Sequence, residues 1–229
     1  LHTDKVYEPD LNSFTIEPFP YYSPLKSQIE TIKSFDRPVI LVDDLVHTAN
    51  RLQVLVPQLR EDGIPIKKVV VGVLSGYGRD LMQCLKVPVE SIYSMPNLRQ
   101  WFVESTLYPF IGGDTVRREE MKVAGLQPSI NMILPYATPR LSGCSREALV
   151  EFSACCIENS RDLFQVLEAE YRKMNAKNLT LSRLSEAVIL PLCPDKGSCM
   201  EYDENLAASV YLENDLETLW RMKEFLIKG

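Results

Sequence analysis

The chain has 229 residues, 45% hydrophobic and 24% charged, with a formal net charge of −6. This is a globular composition, large enough for one sizeable domain or two small ones. The acidic balance argues against a broad basic surface for nucleic acid or anionic lipid, leaving room for a local basic pocket, and no apolar run reaches the ~20 residues of a membrane span.

Residues 1–24 carry Pro9, Pro18, Pro20 and Pro24 among aromatics, which reads as an extended arm or linker without regular structure. Leu25, Ile29 and Ile32 fall at helical spacing behind Ser23 and Pro24. "PVILV" (38–42) is a continuous β-branched run, the pattern of a strand buried on both faces. "NRLQVLVPQLRED" predicts a helix that ends at Gly63 and is kinked by Pro57. "KKVVVGVL" (67–74) is a second strand, "GRDLMQCL" a short helix and "VESIYSM" (89–95) a third strand. Strands alternating with helices over short links predict an α/β domain, a parallel sheet with flanking helices joined by right-handed crossovers.

Residues 98–128 form an irregular insertion with a Gly-Gly turn, and "SINMILPY" (129–136) is a candidate fourth strand. From Ser145 to Met174, Leu149, Phe152, Cys156, Leu163, Leu167, Tyr171 and Met174 keep helical spacing. A shorter helix is expected near 181–189, then a loop around Pro194–Gly197. A last helix should turn Leu216, Leu219, Trp220 and Phe225 inward. The expected organisation is thus an arm (1–24), an α/β domain (25–142) and a helical region (143–229) packed on the sheet or at a homodimer interface. The six cysteines fit neither a CxxC metal pair nor a disulfide scaffold, so a reduced, cytoplasmic state is expected. Cys155 and Cys156 read as core thiols, and Cys193 and Cys199 flank a turn across which they can pair. The start at Leu1 reads as a piece of a longer protein, with a further domain upstream.

In open parallel sheets, ligands bind beyond the carboxyl ends of the strands. "VILVDDLVHTANR" (39–51) places Asp43 and Asp44 at such an end, then a turn opening a helix whose free amides favour an anion. Carboxylates for hydroxyls or a metal therefore stand beside amides for a phosphate.

This stretch resembles the phosphoribosyl-pyrophosphate motif of type I phosphoribosyltransferases: an aliphatic strand, two acidic residues, then a Thr-Gly-rich loop. The likeness continues through "LREDGIPIKKVVVGVLSGYGRDL". "GVLSG" (72–76) and "YSMPN" (93–97) are similar to segments in the C-terminal half of ribose-phosphate pyrophosphokinases. It covers about residues 25–97. The resemblance implies a phosphoribosyltransferase-like fold in which Asp43 and Asp44 hold ribose hydroxyls with Mg²⁺ nearby. Thr48 and the backbone of Ala49, Asn50 and Arg51 would cradle the 5-phosphate. The ligand would be a ribose phosphate, phosphoribosyl pyrophosphate or a nucleotide, and an active domain would transfer a phosphoribosyl group.

The sequence departs from this pattern. Ala49 stands where the family usually has glycine, and Arg51 where it commonly has Thr or Ser. His47 takes a place that is often acidic; it can bind phosphate, act as a base or cap the turn. No upstream pyrophosphate loop is recognisable before residue 39. These departures favour the alternative, a non-catalytic regulatory or assembly module fused to an upstream nucleotide-metabolism enzyme such as a nucleotidyltransferase. A Mg²⁺-dependent hydrolase is a third reading, needing further carboxylates where Asp80 and Glu90 are poorly placed. In "YPFIGGDTVRR" (108–118), Arg117 and Arg118 are candidates for a lid or phosphate contact, against a turn capped by Asp114 that enters a helix. Trp101, Phe102 and Tyr108 can stack on a base or fill core.

Overall fold

The computed structural model describes residues 1–99, 101–103, 106–118, 127–139, 141, 143–184 and 203–228. The chain divides into two compact units, Leu1–Asp4 with Ile16–Trp101, and Lys5–Thr15 with Phe102–Gly229. Residues 1–24 are not a structureless arm. They contain strands β1 (Thr3–Tyr7) and β2 (Phe14–Pro18), which are neighbours in a sheet. Pro9 lies between the strands and Pro18 ends β2, positions that cost no interior ladder donor.

The first unit continues with α1 (Leu25–Lys33), β3 (Val39–Val46), α2 (Asn50–Glu61), β4 (Ile66–Ser75), α3 (Gly76–Cys84) and β5 (Val89–Met95). The three strands form a parallel sheet in the order β3-β4-β5. This is the α/β arrangement expected from the alternation of strand and helix patterns. In the register, Leu41, Val69 and Val89 lie side by side. Their face carries the helices: Leu52 and Val56 of α2 and Met82 of α3 cluster with Val69 and Val71. Ile29 of α1 and Leu59 of α2 pack with Val39 and Leu41.

The opposite face corrects the expectation of strands buried on both sides. Ile40, Val42 and Ile92 are 47%, 77% and 75% exposed. The reason is topological. When consecutive strands are laid down in one direction, right-handed crossovers carry every connecting helix over the same face. A continuous β-branched run satisfies strand propensity whether or not its second face is covered.

The second unit places β6 (Asp114–Val116) parallel to β1, with Val6 opposite Thr115 and Tyr7 opposite Val116. "SINMILPY" supplies only the two-residue β7 (Ser129–Ile130), antiparallel to β6, and adds nothing to the three-stranded parallel sheet. The rest is helical: α4 (Arg146–Asn175), α5 (Leu181–Leu184) and α6 (Ala208–Lys228). Ser145 caps α4 by accepting the Ala148 N–H at 3.1 Å. Glu168 of α4 accepts both the N–H and the hydroxyl of Ser209 in the first turn of α6.

The buried stripe of α4 differs from the expected one. Val150, Ser153, Ala154, Cys156, Ile157, Ser160 and Phe164 face the core, while Leu163, Leu167 and Met174 are exposed. α6 packs along α4, and Ser153 is satisfied by donating to the Leu149 carbonyl at 2.7 Å and accepting the Leu134 N–H at 3.0 Å. On α6, Leu216 and Leu219 are buried as expected, but Trp220 and Phe225 are 41% and 80% exposed. Cys156 is a core thiol; Cys155 is exposed, pointing off the buried stripe. Cys193, Cys199, the loop at 194–197 and the helix expected beyond 184 lie outside the described residues.

Candidate functional site

β3 runs four residues past its aliphatic start, so its end is not Asp43–Asp44 but Val46. Asp43 lies inside the strand, opposite Val71. The exposure alternation explains why carboxylates are tolerated there: Asp43 is half-buried and Asp44 is exposed. Gly72 of β4 lets the strands draw close, since a Cβ there would stand 2.8 Å from the Asp44 carbonyl oxygen. Each carboxylate accepts the amide that follows it, Asp43 from Asp44 N–H at 3.0 Å and Asp44 from Leu45 N–H at 2.7 Å.

Burial above all, and then a hydrogen bond with the Asp44 side chain, raise the Asp43 carboxyl above its ordinary value. The Asp44 amide and, last, the charge of Arg51 act the other way. Arg51, in the first turn of α2, is therefore electrostatically part of the acidic pair's surroundings.

The turn between β3 and α2 carries the other expected residues. Ala49 is the N-cap of α2 and takes a left-handed conformation, φ 50° and ψ 24°. This is the position at which the resembled family has glycine, and glycine alone occupies that region without strain. No side chain caps α2, and no acidic residue stands in its first turn. Asn50 Nδ2 donates to Thr48 Oγ1 at 3.0 Å, and Gln53 Nε2 donates to the Thr48 carbonyl at 2.8 Å, which ties the turn to the helix.

His47 reaches across to the adjacent strand end. Its Nδ1 lies 2.8 Å from Ser75 Oγ, and its ring meets the Tyr77 ring edge-on at a centroid distance of 5.9 Å. Ser75 is 1% exposed and caps α3 by accepting the Gly78 N–H at 2.9 Å. Neither Ser75 nor Tyr77 was among the expected site residues. The signal that could have found Ser75 is a serine closing a strand ahead of a helical stretch, the N-cap pattern. The glycines of "SGYG" serve the protein itself: a Cβ on Gly78 would stand 2.2 Å from the Val46 carbonyl oxygen, and one on Gly76 2.5 Å from that of Pro96.

Arg117 and Arg118 belong to the second unit. The Arg117 guanidinium donates to Glu8 at 3.2 Å and to Thr15 at 3.1 Å, and the Arg118 backbone N–H donates to Gln127 Oε1 at 2.8 Å. "DTV" (114–116) is strand β6, not a capped turn entering a helix. Phe102 tilts against Phe152 but stays exposed, as does Trp101, and Tyr108 packs on the core. Glu90 is held by Lys68 at 2.6 Å.

Among the described residues no group of three or more His, Cys, Asp or Glu is arranged to hold a metal. Mg²⁺ commonly takes one or two carboxylates and fills its shell with water and substrate phosphates. Asp43 and Asp44 are the residues that would hold such an ion here, with the rest of its shell left to water and ligand. Among the described residues no helix is long and apolar enough to cross a membrane. Comparison of the chain with known family models, curated proteins and solved structures finds no match.

Proposed function

We propose that the first unit is a phosphoribosyltransferase-like domain that binds a ribose phosphate, phosphoribosyl pyrophosphate or a nucleotide. One observation carries the reading. Two interacting carboxylates on a parallel strand lead, within a few residues, into a left-handed turn and a helix start that no side chain caps. The carboxylates suit ribose hydroxyls or a Mg²⁺ ion, and the open amides of α2 with the Arg51 guanidinium suit a phosphate. A bound cation would offset the mutual repulsion of the two carboxylates, which adds to the effect of burial on Asp43. Calorimetric titration with ribose 5-phosphate in the presence of Mg²⁺ tests this, with Asp43→Asn and Asp44→Asn as controls; heat from the native chain alone supports it.

A second reading is a regulatory or assembly module joined to a nucleotide-metabolism enzyme, which senses such a ligand without transforming it. Two observations favour it over phosphoribosyl transfer. Residues 1–38 contribute no strand to the β3-β4-β5 sheet, and so no strand-end loop for pyrophosphate. Ala49, with its Cβ, also restricts how closely the backbone approaches a phosphate. Release of pyrophosphate from phosphoribosyl pyrophosphate with a panel of bases separates the two readings: turnover supports the transferase, and binding without turnover the sensor.

A further inference from the structure

His47 carries a ring nitrogen whose chemistry is set by Ser75. The Ser75 hydroxyl has one proton to donate and two lone pairs. One lone pair takes the Gly78 N–H at 2.9 Å, which makes Ser75 the N-cap of α3. Ser75 is 1% exposed, so its proton has no access to bulk water. The partner within reach among the described residues is His47 Nδ1, at 2.8 Å. If Nδ1 carried the hydrogen of a neutral ring, the Ser75 proton would be buried without an acceptor. The cost of such an orphan group disfavours that tautomer by about tenfold or more.

We infer that Ser75 is a positioning residue that holds neutral His47 as its Nε2–H tautomer, so that His47 meets an anionic oxygen of the ligand as a hydrogen-bond donor. Nε2 has no hydrogen-bond partner among the described residues, and the imidazole is half-buried, immediately before the turn 48–51. Edge-on contact with Tyr77 restrains the ring from a second side. A neutral imidazole with a proton on Nε2 cannot accept a proton there. The general-base role open to His47 on sequence grounds therefore gives way to recognition of a phosphate oxygen. The inference rests on the ribose-phosphate reading of the site for its ligand, but the tautomer stands on the Ser75 geometry alone.

The test is ¹⁵N–¹H long-range correlation spectroscopy of the imidazoles. The chain has two histidines, so a His2→Gln variant assigns His47 directly. At a pH where the ring is neutral, Nδ1 should report an unprotonated acceptor and Nε2 a protonated nitrogen. Ser75→Thr should keep this pattern, and Ser75→Ala should relax it towards a mixture. Because Ser75→Ala also removes a helix cap, the native spectrum and Ser75→Thr decide the question if that variant fails to fold. Ribose 5-phosphate should then shift Nε2. A native ring with the hydrogen on Nδ1 overturns the inference. So does ribose 5-phosphate that moves the 48–51 amides and leaves Nε2 unmoved. With the expected tautomer but no response anywhere to ribose 5-phosphate, the donor role falls together with the ribose-phosphate reading, and only the tautomer assignment stands.

Discussion

Replacing Ala49 with glycine tests the geometry of the turn on which the phosphate would rest. Ala49 sits at φ 50° and ψ 24°, a left-handed conformation that costs an L residue about 1–2 kcal/mol. Glycine removes that cost but loses roughly 0.5–1 kcal/mol to the greater freedom of the unfolded chain. The half-buried methyl packed against the β3–α2–α3 core contributes a further ~0.4 kcal/mol, half of a fully buried methylene. The net change lies between a loss of about 0.4 and a gain of about 1.1 kcal/mol. At the upper end the melting temperature rises about 2–4 °C for a chain of this length. The control is Ala169→Gly, on the exposed side of α4 and right-handed, where the same exchange should cost about 1 kcal/mol. Urea unfolding followed by circular dichroism, with the three proteins side by side, gives both values. If Ala49→Gly destabilises as much as Ala169→Gly, Ala49 does not hold the left-handed conformation in solution, and the turn is built differently.

Other consequences are as direct. The Asp43 carboxyl is raised above its ordinary value near 3.8 in the folded chain, so the native state binds more protons than the unfolded one through that window. Stability from this group is thus lost as pH rises from the ordinary value through the folded one. Asp43→Asn should be more stable than the native chain at pH 7, with the difference vanishing towards pH 3.5, as read by urea midpoints across that range. On the sheet, Val42→Thr on the uncovered face should change stability by less than about 0.5 kcal/mol, whereas Leu59→Ala, fully buried under α1, should cost about 2–5 kcal/mol. Equal losses would mean that both faces are covered. Burial pushes the Cys156 thiol up to about 11, so at pH 8 Cys156→Ala should leave the number of fast-reacting thiols in a native-state Ellman assay unchanged, while Cys155→Ala should remove one.

The legible parts of this fold are those where one physical signal acts alone. β5 falls on 89–95 because β-branched and aromatic residues are bracketed by Pro88 and Pro96, which cannot continue a ladder. α4 begins after Ser145 because a serine hydroxyl has an amide to accept there. Where two signals compete, the pattern misleads. Asp43 and Asp44 look like the end of β3 because carboxylates are rare in strands, yet the strand keeps them inside: Asp44 is on the uncovered face with Ile40 and Val42, and Asp43, on the helix-bearing face, is only half-buried. Along α4, Leu163 and Leu167 stay outside while Ser153 and Ser160 go in on the stripe of Val150, Ile157 and Phe164, and backbone groups of Leu134 and Leu149 satisfy the Ser153 hydroxyl there.

The candidate site shows the same division. The acidic pair, the turn and Arg51 were readable from local order in the chain. Ser75 was not, since its meeting with His47 spans 28 residues and depends on β3 and β4 ending side by side. Arg117 and Arg118 stand in the second unit, where the Arg118 backbone N–H bonds Gln127 and the Arg117 guanidinium bonds Glu8 and Thr15, residues far apart from it in the chain whose contact local sequence order does not show.

Isothermal titration of the chain with ribose 5-phosphate, phosphoribosyl pyrophosphate and nucleoside monophosphates, each with and without Mg²⁺, bears most directly on ribose-phosphate binding at Asp43–Asp44. At least one ligand should bind, more tightly with Mg²⁺, and Asp43→Asn combined with Asp44→Asn should weaken it tenfold or more while the protein stays folded. No heat with any of these ligands, or binding unchanged in the double variant, would contradict it.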